Sequence, residues 1–143
     1  MTLPSGPVAP AHKVERAMFD FVDAYDQAFA RAAAQHELTA AQACVLGRLD
    51  GAWSMGALAT ELGCDASNIT QIVAKLEQRG LAERRPNPDD GRSRLIARTN
   101  RGDDAYAAFE ETFEFARDAT DRLTPREREQ LTRLLRKAVD QAS

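Results

Sequence analysis

This sequence predicts a mainly α-helical fold carrying one small β-hairpin, and three observations predict it. Most of the chain repeats apolar residues at helical spacing, punctuated by Gly and by Ser, Thr, Asp or Asn where helices stop and start. The period changes only once, after Gly80, where two short segments flank a Pro/Asn/Asp/Gly loop. At 143 residues, 43% hydrophobic and 29% charged, the chain suits one hydrophobic core rather than two.

Residues 1–12 contain Pro4, Pro7 and Pro10 without the apolar run of a secretory signal, and read as a flexible leader to a single domain over 13–143. Residues 13–35 hold neither Pro nor Gly, and Val14, Met18, Phe21, Val22, Tyr25, Phe29 and Ala32 fall on one helical stripe. A helix of that length spans roughly 35 Å. A small core cannot cover so long a stripe, which points to a second chain packed on it.

The segment "LTAAQACVLGRLDG" opens the next helix, with Thr39 and Gln42 at capping-box spacing and Gly51 beyond its end. "WSMGALATELG" reads as a short helix stopped by Gly63, with Met55, Leu58, Ala59 and Leu62 on one face; Trp53 just ahead reads as a packing residue. "CDASNITQIVAKLEQRG" is another helix, with Asp65 or Ser67 as N-cap and Gly80 as C-cap. Its apolar face is Ile69, Ile72, Val73 and Leu76.

"LAERR" and "RLIART" then pair as a hairpin. Asn100 caps a helix to about residue 119, with Tyr106, Phe109, Phe113 and Ala116 aligned. Thr124, Pro125 and Glu127 supply N-cap, N1 and N3 of a last helix lined by Leu131, Leu134, Leu135 and Ala138. The aromatic and leucine surplus of Phe19, Phe21, Phe29, Phe113, Phe115 and these leucines reinforces the expectation of a homodimer.

Two short helices joined through Gly63, the second followed by an arginine-flanked hairpin, give the order of a winged helix-turn-helix over residues of about 38–99. The second helix leaves Ser67, Asn68, Thr70, Gln71 and Lys75 opposite its aliphatic face. Short amides and hydroxyls near a helix N-terminus suit base edges and phosphates. The hairpin adds Arg84, Arg85, Arg92 and Arg94, which can reach phosphates or a narrow minor groove.

Charge patterning agrees. The chain carries a net charge of −3, yet residues 54–102 hold eight Lys/Arg against six Asp/Glu, and the rest hold 11 against 16. Basic charge is therefore gathered on one segment of an acidic protein, as a polyanion-facing edge requires. Solvated arginines on an ordinary hairpin are the competing reading.

The run "DGRSRLIARTNRG" is similar to the wing signature of the MarR family (multiple antibiotic resistance regulators), with Asp90, Arg92, Leu95, Ile96, Thr99 and Gly102 falling on it. "LTAAQACVLGRL", "LATELGCDASNITQIVAKLEQRGLAERRPNP" and both flanking helical segments follow the family's order over residues 13 to 141. The resemblance implies a dimeric bacterial transcription regulator, usually a repressor, with N- and C-terminal dimerisation helices at 13–35 and 100–141. It implies DNA contacts from Ser67, Asn68, Thr70, Gln71 and Arg92, with Asp90 bonded to the Arg92 guanidinium. The operator would be a pseudo-palindromic duplex. Gln71 stands where the family often has Arg, and Arg98 where it often has Leu, which predicts an altered base preference and a more exposed second wing strand.

Family effectors often lodge between the dimerisation helices and the DNA-binding lobe, where Tyr25, His36 and Cys44 would line a crevice for a small molecule. A capping or surface role is the simpler account of His36, and Cys64, in a turn slot usually filled by a buried aliphatic, reads as core. The family's peroxide sensors use a cysteine in the first helix, and none stands there in this chain. Cys44 and Cys64, without a CxxC pair or signal segment, suggest a reducing cytoplasm. Only His12 and His36 could add imidazoles, so the spacing supports neither a metal site nor a cofactor. An enzyme would need a nucleophile–base pair, and Cys44 with His36 lies in no recognisable motif. A winged-helix protein–protein module without DNA binding is the remaining alternative, against which the polar row and Arg92 argue.

Overall fold

The computed structural model describes residues 12–140. All but the last residue of the expected leader, residues 1–12, lies outside them. Among the described residues, seven helices and three strands follow in the order α1 (Lys13–Gln35), α2 (Ala40–Arg48), β1 (Trp53–Ser54), α3 (Met55–Leu62), α4 (Ala66–Gln78), β2 (Ala82–Asn87), β3 (Asp90–Arg98), α5 (Asn100–Thr112), α6 (Phe115–Asp121) and α7 (Pro125–Val139). The α-rich, hairpin-bearing fold class is as the sequence predicts. Among the described residues no helix is long and apolar enough to cross a membrane.

Helix boundaries follow cap chemistry. Thr39 with Gln42 and Thr124 with Glu127 both form reciprocal capping boxes, satisfying first-turn N–H groups that have no intrahelical partner. Gly63 ends α3 in the left-handed region at φ 63°, where a side chain would be strained. Asp65, rather than Ser67, caps α4.

The core sits where α1, α2, α4 and α5 meet the sheet. Leu46, Leu49, Leu58, Ile69, Val73, Leu76, Ile96 and Phe109 are essentially inaccessible to solvent. Each such side chain contributes roughly 1.5–3 kcal/mol by leaving water. Tyr25, Phe29, Phe109 and Phe113 extend this core as an aromatic row between α1 and α5, with successive T-shaped contacts at 4.9 to 5.2 Å. Phe115 continues it towards Phe21 at 5.4 Å. Part of the aromatic surplus thus serves the protomer itself, which corrects its full assignment to a dimer interface. Among the described residues, the large apolar side chains left exposed are Val14, Met18, Phe21 and, at 36%, Tyr25 on α1, and Leu131, Leu134, Leu135 and Val139 on α7.

Three further expectations need correction. The wing is a three-stranded antiparallel sheet in the order β1-β3-β2, because Trp53 and Ser54 pair with Ile96 and Leu95. A two-residue strand is too short for periodicity to reveal. The helix expected over 100 to 119 breaks after Thr112, with Phe113 in an extended conformation at ψ 90°, and restarts at Phe115. The break turns Phe113 and Phe115 onto α1, where both join the aromatic row. Finally, Thr99 caps α5 and Asn100 is its first residue.

Thr99 also explains why Gly102 follows it at this spacing. Its hydroxyl donates to the Gly80 carbonyl at 2.6 Å and accepts from the Gly102 N–H at 3.0 Å. A Cβ on Gly102 would lie 2.0 Å from the Leu81 carbonyl oxygen, so this close approach of α5 to the start of β2 admits only glycine. One residue thereby ties the end of α4, the root of the wing and the first turn of α5.

Candidate nucleic-acid interface

The α3–turn–α4 unit places the second helix with Ile69, Val73 and Leu76 in the core. A 3.6-residue period then forces Ser67, Asn68, Thr70, Gln71 and Lys75 outward, and all five are exposed. Asp65 fixes the entry to this helix, its Oδ1 accepting from the Asn68 N–H and from the Ser67 hydroxyl, both at 2.8 Å. These hydrogen bonds hold the Asp65 carboxyl below its ordinary pKa, the Asn68 N–H contributing most. The Thr70 hydroxyl donates back to the Ala66 carbonyl at 2.7 Å. Ser67 and Thr70 therefore present oxygen lone pairs outward, whereas the Asn68 and Gln71 amides have no partner among the described residues.

The C-terminal end of α4 is anchored as well. The Arg79 guanidinium donates to the carbonyls of Glu37 and, at 3.4 Å, His36, in the turn between α1 and α2. Arg79 carried no flag in the sequence, because nothing in its neighbourhood announces a partner some 42 residues away.

In the wing, β2 and β3 pair from Ala82↔Arg98 to Pro86↔Arg94, with a register shift after Pro86. Side chains close the tip: Asn87 Nδ2 donates to Ser93 Oγ at 2.9 Å, and Asn87 Oδ1 accepts from the Asp89 N–H at 3.0 Å. The Asp90 carboxylate accepts from the Arg92 backbone N–H at 3.0 Å. The expected carboxylate–guanidinium contact is therefore replaced by a backbone one, an Asx turn, which the two-residue spacing favours over a reach along the Arg92 side chain.

The hairpin arginines divide. Arg92 and Arg94 are exposed and form no ion pair among the described residues. Arg84 pairs with Glu77 on α4 at 3.1 Å, and Arg85 with Glu83 at 2.8 Å, so two of the four expected DNA-facing arginines are engaged within the protein. Both remain half-exposed, so these pairs add little stability. Arg98 departs further from expectation. Its side chain is only 15% exposed, with Nε on Asp103 at 2.9 Å, Nη1 on the Leu46 carbonyl at 3.1 Å, and its guanidinium carbon 5.0 Å from the Tyr106 ring centre. The second wing strand is thus pinned to α2 and α5 at its root, not more exposed. Burial, with Glu110 second, raises the Tyr106 pKa above its ordinary value.

A crevice of about 560 Å³ opens between α1, α2 and the start of α4. It brings Tyr25 and Cys44 together, as expected, and adds Asn68 and Cys64. Cys64 is exposed rather than core, because the left-handed turn at Gly63 carries it outward. His36 does not line the crevice. His36 holds the C-cap position of α1, and its Nε2 lies 2.7 Å from the Thr112 hydroxyl, a tertiary bond to the end of α5 in place of the expected crevice contact.

Comparison with known proteins fits this geometry. Residues 36–93 match the MarR family model. No sequence match was found among curated proteins. Among solved structures, apo E. coli MarR superposes with a TM-score of 0.75 at 25% identity, over 92% of this chain and 98% of that one. A cysteine-to-serine mutant of E. coli MarR in complex with operator DNA gives 0.72 at 25% identity, over 88% and 93%. A protein described as a probable transcriptional regulator from Pseudomonas aeruginosa gives 0.70 at 28% identity, over 89% and 97%.

Proposed function

We propose that this chain, whose winged helix-turn-helix matches the MarR family model over residues 36–93, is a MarR-type transcription regulator that binds double-stranded DNA sequence-specifically. The observation that carries the reading is the outward polar row of α4 together with two exposed wing arginines, Arg92 and Arg94, that form no ion pair among the described residues. Asn68 and Gln71 amides suit the paired donor and acceptor of an adenine edge in the major groove. Ser67 and Thr70 accept rather than donate, and so suit exposed amino groups of bases. Arg92 and Arg94 suit the phosphates or minor groove flanking that contact. The chemistry is recognition rather than catalysis, as in the family at large.

The working unit is a homodimer joined through residues 13–35 and 100–141, whose α1 and α7 apolar residues are exposed in the protomer. Two α4 helices then read successive major grooves of a pseudo-palindromic operator, roughly 34–36 Å apart. The protein acts as a repressor, and a small molecule in the crevice beside Tyr25 and Cys44 relieves it by favouring another spacing of the two helices. Sequencing the genomic fragments retained by the purified protein tests the reading. Enrichment of a few palindromic promoter segments is expected; even recovery across the genome, or none, would favour a protein-interaction module instead.

A further inference from the structure

We propose that the crevice between α2 and α4 is a covalent sensing site for small, apolar α,β-unsaturated carbonyl compounds, with Cys44 and Cys64 as the acceptor thiols. This rests on the regulatory reading above and names the chemistry of its effector. The two cysteines of the chain lie far apart in sequence, on α2 and in the α3–α4 turn, yet both are free, exposed and lining this one space. A cavity of about 560 Å³ suits a small organic molecule. Its apolar walls include Phe29, Val45, Leu62 and Ile72, which favour a hydrocarbon body, and the one carboxylate on the lining, Asp26, disfavours an anionic ligand.

Two polar groups select the head of that molecule. Asn68 and Tyr25 are on the lining, and neither the Asn68 amide nor the Tyr25 hydroxyl has a hydrogen-bond partner among the described residues. Both can donate to a carbonyl oxygen, which stabilises the enolate that forms when a thiol adds to the conjugated double bond. In that step the sulfur bonds to the β-carbon and the π pair moves to the carbonyl oxygen. The thiol proton then ends on the α-carbon, with nothing oxidised or reduced. A metal is the poorer occupant, since no three His, Cys, Asp or Glu side chains cluster among the described residues.

The adduct would reach DNA binding through local geometry. Cys64 directly precedes Asp65, whose carboxylate caps α4 and holds both Ser67 and Asn68. Bulk bonded to Cys64, or wedged in from Cys44, would displace the first turn of α4, and Asn68 cannot hold the carbonyl and read a base at once. The crevice thus couples its ligand to the recognition helix by direct competition as well as by displacement.

The test treats the full-length protein with trans-2-hexenal, follows adduct formation by intact mass, and titrates treated and untreated protein against a retained genomic duplex. Labelling is expected to saturate with hexenal concentration, outpace glutathione, and weaken duplex binding about tenfold or more. The C44S and C64S variants assign the thiols, and the doubly substituted protein should bind duplex equally before and after treatment. Labelling that is linear and no faster than glutathione would overturn the site. Saturable labelling with unchanged duplex affinity would overturn its regulatory role. If untreated protein binds no duplex, the DNA-binding reading fails, and the labelling kinetics alone still decide whether the crevice is an electrophile site.

Discussion

The Asp90 carboxylate accepts the backbone N–H of Arg92 at 3.0 Å, so it shapes the wing tip and leaves the Arg92 guanidinium without an ion pair among the described residues. The negative charge next to that arginine is therefore incidental, and the acceptor oxygen is what the loop needs.

A charge-neutral substitution separates the two. Asp90→Asn keeps an acceptor at the same atom and removes a charge that DNA phosphates repel, so it should bind a duplex at least as well as the parent. Asp90→Ala loses the turn and should bind more weakly than Asp90→Asn. Arg92→Ala should cost about 1–3 kcal/mol, the range of one good base contact. Titrations at a single salt concentration give all three values, and Asp90→Ala matching Asp90→Asn would show that the Asx turn does not position the wing.

Gly102→Ala places a methyl group 2.0 Å from a backbone carbonyl oxygen that cannot rotate away. Relief requires moving α5 from Leu81, and the stability loss should be about 2–3 kcal/mol. Urea unfolding measures it directly. A loss within experimental error would mean that the α5 start shifts freely, contrary to the three-way tie through Thr99.

Leu134 and Leu135 are 51% and 52% exposed, and α7 buries no residue within the protomer. Replacing both with Asp should leave the helical content intact, because no intrachain core is touched, while converting a dimer to monomers. Removing residues 124–143, α7 included, should likewise yield monomers and abolish DNA binding. Sedimentation decides: a stable monomer of the parent chain at micromolar concentration, or an undisturbed dimer of the double variant, would sink the dimer proposal.

Asp65 gives α4 a pH dependence. Its folded pKa lies below the ordinary value because its charged form accepts two hydrogen bonds. The stabilisation is therefore full above the unfolded pKa, near pH 4, and is lost as pH falls through the lower, folded value. Relative to Asp65→Ala, the parent's advantage in thermal midpoint should be constant from pH 7 to about pH 5 and shrink below about pH 4. An advantage that persists undiminished to about pH 2 would mean that the cap is not the carboxylate.

Local chemistry was the legible part of this molecule. Thr39, Gly63 and Thr124 mark helix ends because their capping acts within three or four residues, and the face of α4 follows from Ile69, Val73 and Leu76 alone. Long-range partners were not legible. Arg98 looked like another surface arginine until α2 and α5 brought the Leu46 carbonyl, Asp103 and Tyr106 around it. Arg84 lost part of its apparent role for the same reason, since Glu77 on α4 becomes its neighbour only once the chain folds back, whereas the Glu83 partner of Arg85 stands two residues away in the sequence. Cys64 misled because its turn slot suggested burial, whereas the backbone leaving Gly63 turns it into the crevice.

The central claim is that α4 and the wing read a specific duplex as a polyanion with a sequence. Titrating the full-length protein against a retained genomic duplex and a shuffled duplex of equal composition, over a series of salt concentrations, tests it most directly. The account predicts binding of the retained duplex at least about a thousandfold tighter than the shuffled one, with both affinities falling steeply as salt rises. Equal affinity for the two duplexes, or binding to neither at low salt, would contradict it.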